Sequence, residues 1–276
     1  FYSFYLLLKR KYMAVTGISR YMRLWKHIAN PFDYLIYKNE RHKRDCFFVT
    51  KPFPIRFRVP NSLYLVFKEI FMTDVYEIDR LASQLPNNPT IIDIGANAGF
   101  FDIQLLSKIG QATIYAYEPM PANVKSLQET IANNSRLQRC IRLFAMAVTG
   151  RAFAQLSLFA EPEENSQVVA SVFAEFHQNN TCELTVPCIT LTEIMLENSL
   201  QIVDLLKMDC EGAEYDIIYH TDPELIRRIR QMTIEVHDVD SDRNNVTVFD
   251  QYLQEMGYTT SYSRINSSCY ALEAIR

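Results

Sequence analysis

Thr90-Ile91-Ile92-Asp93-Ile94-Gly95-Ala96-Asn97-Ala98-Gly99 is the stretch on which the fold turns. Its first five residues form an apolar run of strand length, and Phe100 to Ile109 (FFDIQLLSKI) carries helical spacing. Gly110 follows as a helix-ending glycine. Between strand and helix lies a loop with two of the chain's seven glycines, Gly95 and Gly99. A glycine at the strand end lets the backbone turn tightly, and one at the helix start lets a ligand or the strand below come close. The helix N-terminus offers unpaired N–H groups to an anionic or carboxylate-bearing ligand.

Working outward, TIYAY reads as a second strand ending at Glu118-Pro119, and PANVKSLQETIANN as a helix with proline in its first turn. IRLFAMAV is a strand turned by Gly150, and strands are expected near AQLSLF, VVASVF and LTVPCI. LTEIMLE is a short helix, followed by the strand IVDLLKM, the helix AEYDIIYH and the strand QMTIEV. VTVFDQYLQEM is the last helix, before two closing strands, YTTSYS and CYALEA. Strand and helix alternating from residue 90 predict an α/β, doubly wound, mostly parallel sheet with antiparallel closing strands.

Upstream, SLYLVFKEIF and VYEIDRLASQL read as helices introduced by Asn61-Ser62 and by Asp74, before a break at Pro86-Asn87-Asn88-Pro89. Residues 1–30 read as a basic helical segment, and 46–59 as two short strands with prolines, an edge hairpin. Residues 1–60 are therefore taken as a basic N-terminal extension and 61–276 as the main domain.

Composition narrows the function classes. The 276 residues, 48% hydrophobic and 22% charged, exclude a disordered polymer, a collagen-like fibre and a small disulfide scaffold. The net charge of −4 hides a split. Residues 1–60 hold thirteen Lys/Arg against three Asp/Glu, and the remainder holds fifteen against twenty-nine. Such a basic head on an acidic body raises the question of an anionic partner, and peripheral membrane contact through residues 1–60 is one expectation. No nucleic-acid partner is expected of the acidic body. The opening run FYSFYLLL has eight residues, too few for a bilayer span of about twenty. Six cysteines without a C-x-x-C suggest free thiols in a reducing, cytoplasmic setting rather than a zinc ribbon or redox pair.

Three strand ends carry chemistry. Glu118, nineteen residues after Gly99, is placed to accept hydrogen bonds from ribose hydroxyls. The loop lacks the G-x-G-x-x-G of nicotinamide dehydrogenases, because Asn97 stands where the second glycine belongs. Asp93 suits a cationic or amino-bearing ligand, such as the methionine end of S-adenosylmethionine. Asp209 ends the next buried strand, and Glu211 and Glu214, three apart, share a helix face if the helix starts there. Their place in a first turn also suits the helix dipole, while their place at a strand end suits acceptor binding. Glu235 and His237 point to the same side of the following strand. With its ordinary pKa near 6.5, His237 is a candidate general base, oriented by Asp209 or Glu235. The same carboxylate–histidine group could instead hold a divalent cation, but no bound metal is expected.

IIDIGANAGFFDIQL, IYAYEPMPANVKSL, LLKMDCEGAEYDII and MTIEVHD together resemble the FkbM family of S-adenosylmethionine-dependent methyltransferases, across residues 70–260. The resemblance implies a Rossmann-like class I methyltransferase fold and S-adenosylmethionine as cofactor. It implies that Asp93, Gly95, Asn97 and Gly99 line the methionine and ribose end, that Glu118 binds the ribose, and that Ala145–Gly150 flanks the adenine. The expected reaction is O-methylation of a hydroxyl on a sugar, glycan or secondary metabolite. The alternatives are a nicotinamide-dependent oxidoreductase and a non-catalytic nucleoside-binding module docked on a membrane.

Overall fold

The computed structural model describes residues 17–37, 44–160, 170–171 and 182–276. The FYSFYLLL run and most of the VVASVF segment lie outside the described residues. In chain order, α1 (Ile18–His27) and α2 (Phe32–Tyr37) precede the hairpin β1 (Cys46–Val49) and β2 (Arg56–Val59). A 3₁₀ turn leads into α3 (Tyr64–Lys68), and a π-helical turn (Glu69–Thr73) leads to α4 (Ile78–Gln84). The alternating part follows: β3 (Thr90–Ile94), α5 (Phe100–Ile109), β4 (Thr113–Tyr117), α6 (Pro121–Ala132), α7 (Ser135–Cys140) and β5 (Ile141–Phe144). After β6 (Ala147–Thr149), β7 (Gln155–Ala160), β8 (Ala170–Ser171) and β9 (Cys182–Thr190) come α8 (Leu191–Glu197), β10 (Leu205–Met208), α9 (Glu214–His220) and α10 (Pro223–Ile226). β11 (Gln231–His237), α11 (Val246–Glu255), β12 (Thr259–Arg264) and β13 (Cys269–Ile275) complete the order.

The main sheet has seven strands in the order β12-β13-β11-β10-β3-β4-β5. This is the expected doubly wound architecture. Of the two closing strands, β13 alone runs against the sheet; β12 pairs antiparallel with it and so runs with the others. Each parallel strand is buried on both faces, and successive residues feed opposite cores. Ile91 joins a cluster with Phe57, Phe67 and Ile103, whereas Ile92 and Ile94 join Ile194, Ile218 and Phe249. Residues from α1, α2 and the hairpin (Leu24, Tyr34, Phe48, Phe57) belong to the first of these cores.

IRLFAMAV is not one strand. β5 ends at Phe144 in the main sheet, and β6 resumes at Ala147 in a second sheet, β6-β9-β7-β8. The chain leaves the sheet there because β5 is the edge beside β4, and β6 finds its parallel partner in β9. The break carries Met146, Ala147 and Val148 over the carboxyl ends of the main strands, against the cavity described next. The chain moves outward from β3 to β4 and β5 and returns to β10 on the other side. That reversal makes the switch point at which an open α/β sheet holds its ligand.

Candidate active site

A cavity of about 330 Å³ opens outside the carboxyl ends of β3, β4, β10 and β11. Gly95, Asn97, Glu118, Asp209, Glu211 and Glu235 all line it, together with Glu69 and Tyr76 from the segment before β3. The structure thus brings together six of the ten residues singled out in the sequence. Asp93, Gly99, Glu214 and His237 stand behind the wall.

On the β3 side, Gly95 adopts φ +78°, and a Cβ there would stand 1.9 Å from the backbone oxygen of Asp209. The two strand ends touch through that missing side chain. Gly99, at φ +76°, is packed by Leu127 of α6, whose Cδ1 would be 2.4 Å from a Cβ. Its glycine therefore makes room for a side chain of α6, where the sequence led us to expect a ligand or the strand below. Glu118 is buried and accepts from the backbone N–H of Asn97 at 2.7 Å, that of Met120 at 2.9 Å and the side chain of Asn123 at 3.3 Å. Burial raises its pKa, opposed by those donors. Asn97, at φ +50°, forms the tip of the loop.

Asp93 is fully buried beneath this loop. Lys207, also buried, lies 3.1 Å from its carboxylate and donates to the Gly95 carbonyl at 2.7 Å. Asp102 of α5 shares a hydrogen bond with Asp93, and burial next to that charge pushes the Asp102 pKa far up. The Lys207 ammonium offsets the carboxyl groups buried around it. Isolated charges so deep would be costly. Lys207 and Asp102 received no role from the sequence. Their signal was available: each is a lone charge in an apolar element, LLKM and FFDIQLL.

The β10–β11 side differs. The Tyr76 hydroxyl donates to Asp209 at 2.9 Å. Glu211 takes φ +52° in the turn before α9, a costly conformation for a residue with a Cβ. Burial, with Asp209 close by, raises the Glu211 pKa to about 8. Burial and Asp209 likewise raise Glu235 to about 7, and burial raises Glu69. Glu214 is fully buried and accepts from the N–H groups of Cys210 and Gly212 at 3.3 Å. It also contacts His237 Nδ1 at 3.3 Å, tying the turn to β11.

His237 is held by Glu214 on Nδ1 and by Glu211 on Nε2 at 3.3 Å, with Glu235 at 3.8 Å. Burial would lower its pKa, but hydrogen bonding to Cys269 and the charges of Glu214 and Glu211 push it up to about 12. Those two carboxylates favour the protonated imidazole and tie His237 to the turn before α9, and Glu211 and Glu235 are among the carboxyl groups that face the cavity. Cys269, opposite His237 in the β11–β13 ladder, donates to Glu235 at 3.0 Å. Ligand atoms of Glu235, His237 and Cys269 lie within 4.8 Å of one another, so a divalent ion could be held there only by drawing His237 from Glu211.

The family model for the methyltransferase FkbM domain matches residues 93–260. The chain belongs to this family. Methyltransferase sdnD of Sordaria araneosa is 26% identical over 222 residues, covering 72% of this chain and 83% of that protein. Methyltransferase 1 of Beauveria bassiana is 28% identical, covering 64% and 74%. The 31-O-demethyl-FK506 methyltransferase FkbM of Streptomyces tacrolimicus is 23% identical, covering 63% and 75%. Among solved structures, the METTL16 methyltransferase domain superposes with a TM-score of 0.48 at 14% identity, covering 80% of this chain and 73% of that one. This FkbM-family methyltransferase uses S-adenosylmethionine. The cavity suits it: its volume is that of a small-ligand site, the Gly95–Asn97 loop and Glu118 present polar groups, and Asp209 and Glu211 present carboxyl oxygens.

Proposed function

We propose that the chain methylates a hydroxyl oxygen of a sugar, glycan or secondary metabolite, with Glu235 accepting the acceptor's proton. The carrying observation is that Glu235 and Glu211 line the same cavity as Asp209 and the Gly95–Asn97 loop. S-Adenosylmethionine supplies an electrophilic methyl group. The chain's task is therefore to orient the acceptor and remove its proton. A carboxylate raised to about 7 is half ionised at neutral pH, which matches a general base to its working range. Glu211 and Asp209, with the Tyr76 hydroxyl, supply hydrogen-bond partners for a polyhydroxylated acceptor. His237 keeps Glu211 and Glu214 in place. The name of the Streptomyces relative specifies methylation at an oxygen, which supports the same bond type here.

The test is a labelled-methyl transfer assay over a panel of sugars, glycans and hydroxylated metabolites, with the product's linkage determined. Label on an oxygen, lost in Glu235→Gln with unchanged cofactor affinity, is the expected result. Label on nitrogen or carbon would overturn the oxygen assignment, and full transfer by Glu235→Gln would remove its role.

A further inference from the structure

The apolar surface left open by the fold is gathered at one place. Fifteen large hydrophobic side chains are exposed among the described residues, and seven of them fall between Ile18 and Phe47. In α1, Ile18, Met22 and Trp25 are 80%, 67% and 44% exposed and follow i, i+4, i+7 spacing, a single stripe. The opposite side of the helix is already used: Leu24, His27 and Ile28 at its end are fully buried. α1 is thus apolar on two sides, and only one has a partner in the core. α2 repeats the arrangement, with Tyr34 buried and Phe32, Leu35 and Ile36 outward. The two stripes meet, since the Trp25 and Phe32 rings pack edge to face at 4.9 Å. Asn30, between the helices, bonds to the backbone of Phe47, an exposed ring with the Arg56 guanidinium 5.7 Å above it.

We infer that this face docks on the surface of an anionic lipid bilayer. Charge selects that occupant over a second copy or an acidic protein groove. The segment through residue 60 carries thirteen Lys/Arg against three Asp/Glu, so two copies would repel across a shared face. A large open stripe with tryptophan and phenylalanine at its centre and Arg20, Arg44 and Arg56 exposed suits the headgroup layer, where aromatic rings and basic side chains are both accommodated. No helix among the described residues is long and apolar enough to cross a membrane, so the contact is with the surface. The face is also mechanically joined to the cavity. α1 packs on the π turn that carries Glu69, and Arg23 pairs with Asp74, two residues before the Tyr76 that holds Asp209. A docked α1 would hold the cavity at a fixed height above the lipid.

Trp25 is the chain's single tryptophan, so its emission reports directly on the contact. The full chain is titrated with vesicles of phosphatidylcholine alone and of phosphatidylcholine with phosphatidylserine, and co-sedimentation is followed in parallel. A blue shift and co-sedimentation with the anionic vesicles, weakened about tenfold or more in Met22→Glu/Ile36→Glu, are expected. Both replaced residues are exposed, so the variant keeps its core, which circular dichroism verifies. Absence of binding to either vesicle overturns the inference, as does binding that the double variant leaves unchanged. A blue shift that depends on protein concentration without lipid would assign the face to a second copy instead. None of these readings depends on methyl transfer, so they stand apart from the proposed reaction.

Discussion

The two walls of the cavity use carboxylates in opposite ways. On the β3 side, Glu118 has three donors and Asp93 has Lys207, and each negative charge is matched where the chain needs it. On the β10–β11 side, Glu69, Asp209, Glu211 and Glu235 crowd one another, and three of them have pKa values raised by burial and mutual repulsion. Burial raises carboxyl pKa values on both walls, but on the β3 side the donors to Glu118 and Lys207 beside Asp93 oppose the rise, whereas on the β10–β11 side neighbouring carboxylates add to it. The contrast teaches that the supply of donors sets how two halves of one pocket hold their carboxyl groups.

The largest effect should come from the β10–β11 side. Glu235→Gln should lower kcat by about 10²–10⁴-fold, the range for loss of a general base, with little change in cofactor affinity by calorimetry. Equal losses in both would merge the two halves. Gly95→Ala should cost roughly 3 kcal/mol or more of stability, because its Cβ meets the Asp209 backbone at 1.9 Å at a positive φ. Gly257→Ala is the control, with positive φ but open space, and should cost about 1–2 kcal/mol in thermal unfolding. Glu118→Gln leaves one of the three donors poorly matched and should weaken S-adenosylmethionine binding about tenfold, with kcat at saturation largely kept.

The pH dependence separates the halves more finely. With its pKa raised to about 7, Glu235 is protonated and inactive below that value, so kcat should rise with pH through about 7. Stability should move the other way. Glu211 and Glu235 bind protons in the folded state at pH values where the unfolded chain has released them, so their contribution falls as pH rises from about 4.5 to about 8. His237, raised to about 12, adds stability that is complete below about 6.5 and is lost as pH climbs toward 12. Unfolding midpoints should therefore decline from pH 6 to 9, less steeply in Glu211→Gln. Chelation should have the smallest effect, namely none; activity lost to chelator and restored by a divalent ion would show the Glu235–His237–Cys269 group acting as a metal site.

The alternating part of the fold was legible because fully buried parallel strands and their helices leave a coarse pattern of apolar runs and breakers. TIIDI and QMTIEV appear where the runs place them, and IVDLLKM is shortened to its last four residues, Leu205–Met208. The β5–β6 split was not legible, since leaving one sheet for another changes neither spacing nor polarity. In the site, loop residues were readable from glycine placement and from carboxylates at strand ends. Tyr76 and Glu69 were not, because they enter from a segment that carries no motif. The partners of His237 were not legible either: its two nitrogens meet carboxylates from a different element, Glu211 and Glu214, which its own strand does not reveal.

The placement of β13 bears on how the chain avoids sticking to others while it is being made. β13 lies between β11 and β12 but follows both in the sequence. Until residues 269–275 arrive, the edge of β11 has no neighbour on that side, and an open edge is an invitation to another strand. The residues near its end are Glu235 and His237, ionisable groups that would have to be stripped of water to pair with a stranger. An edge that ends in such groups is a poorer template for a stranger than an all-apolar one.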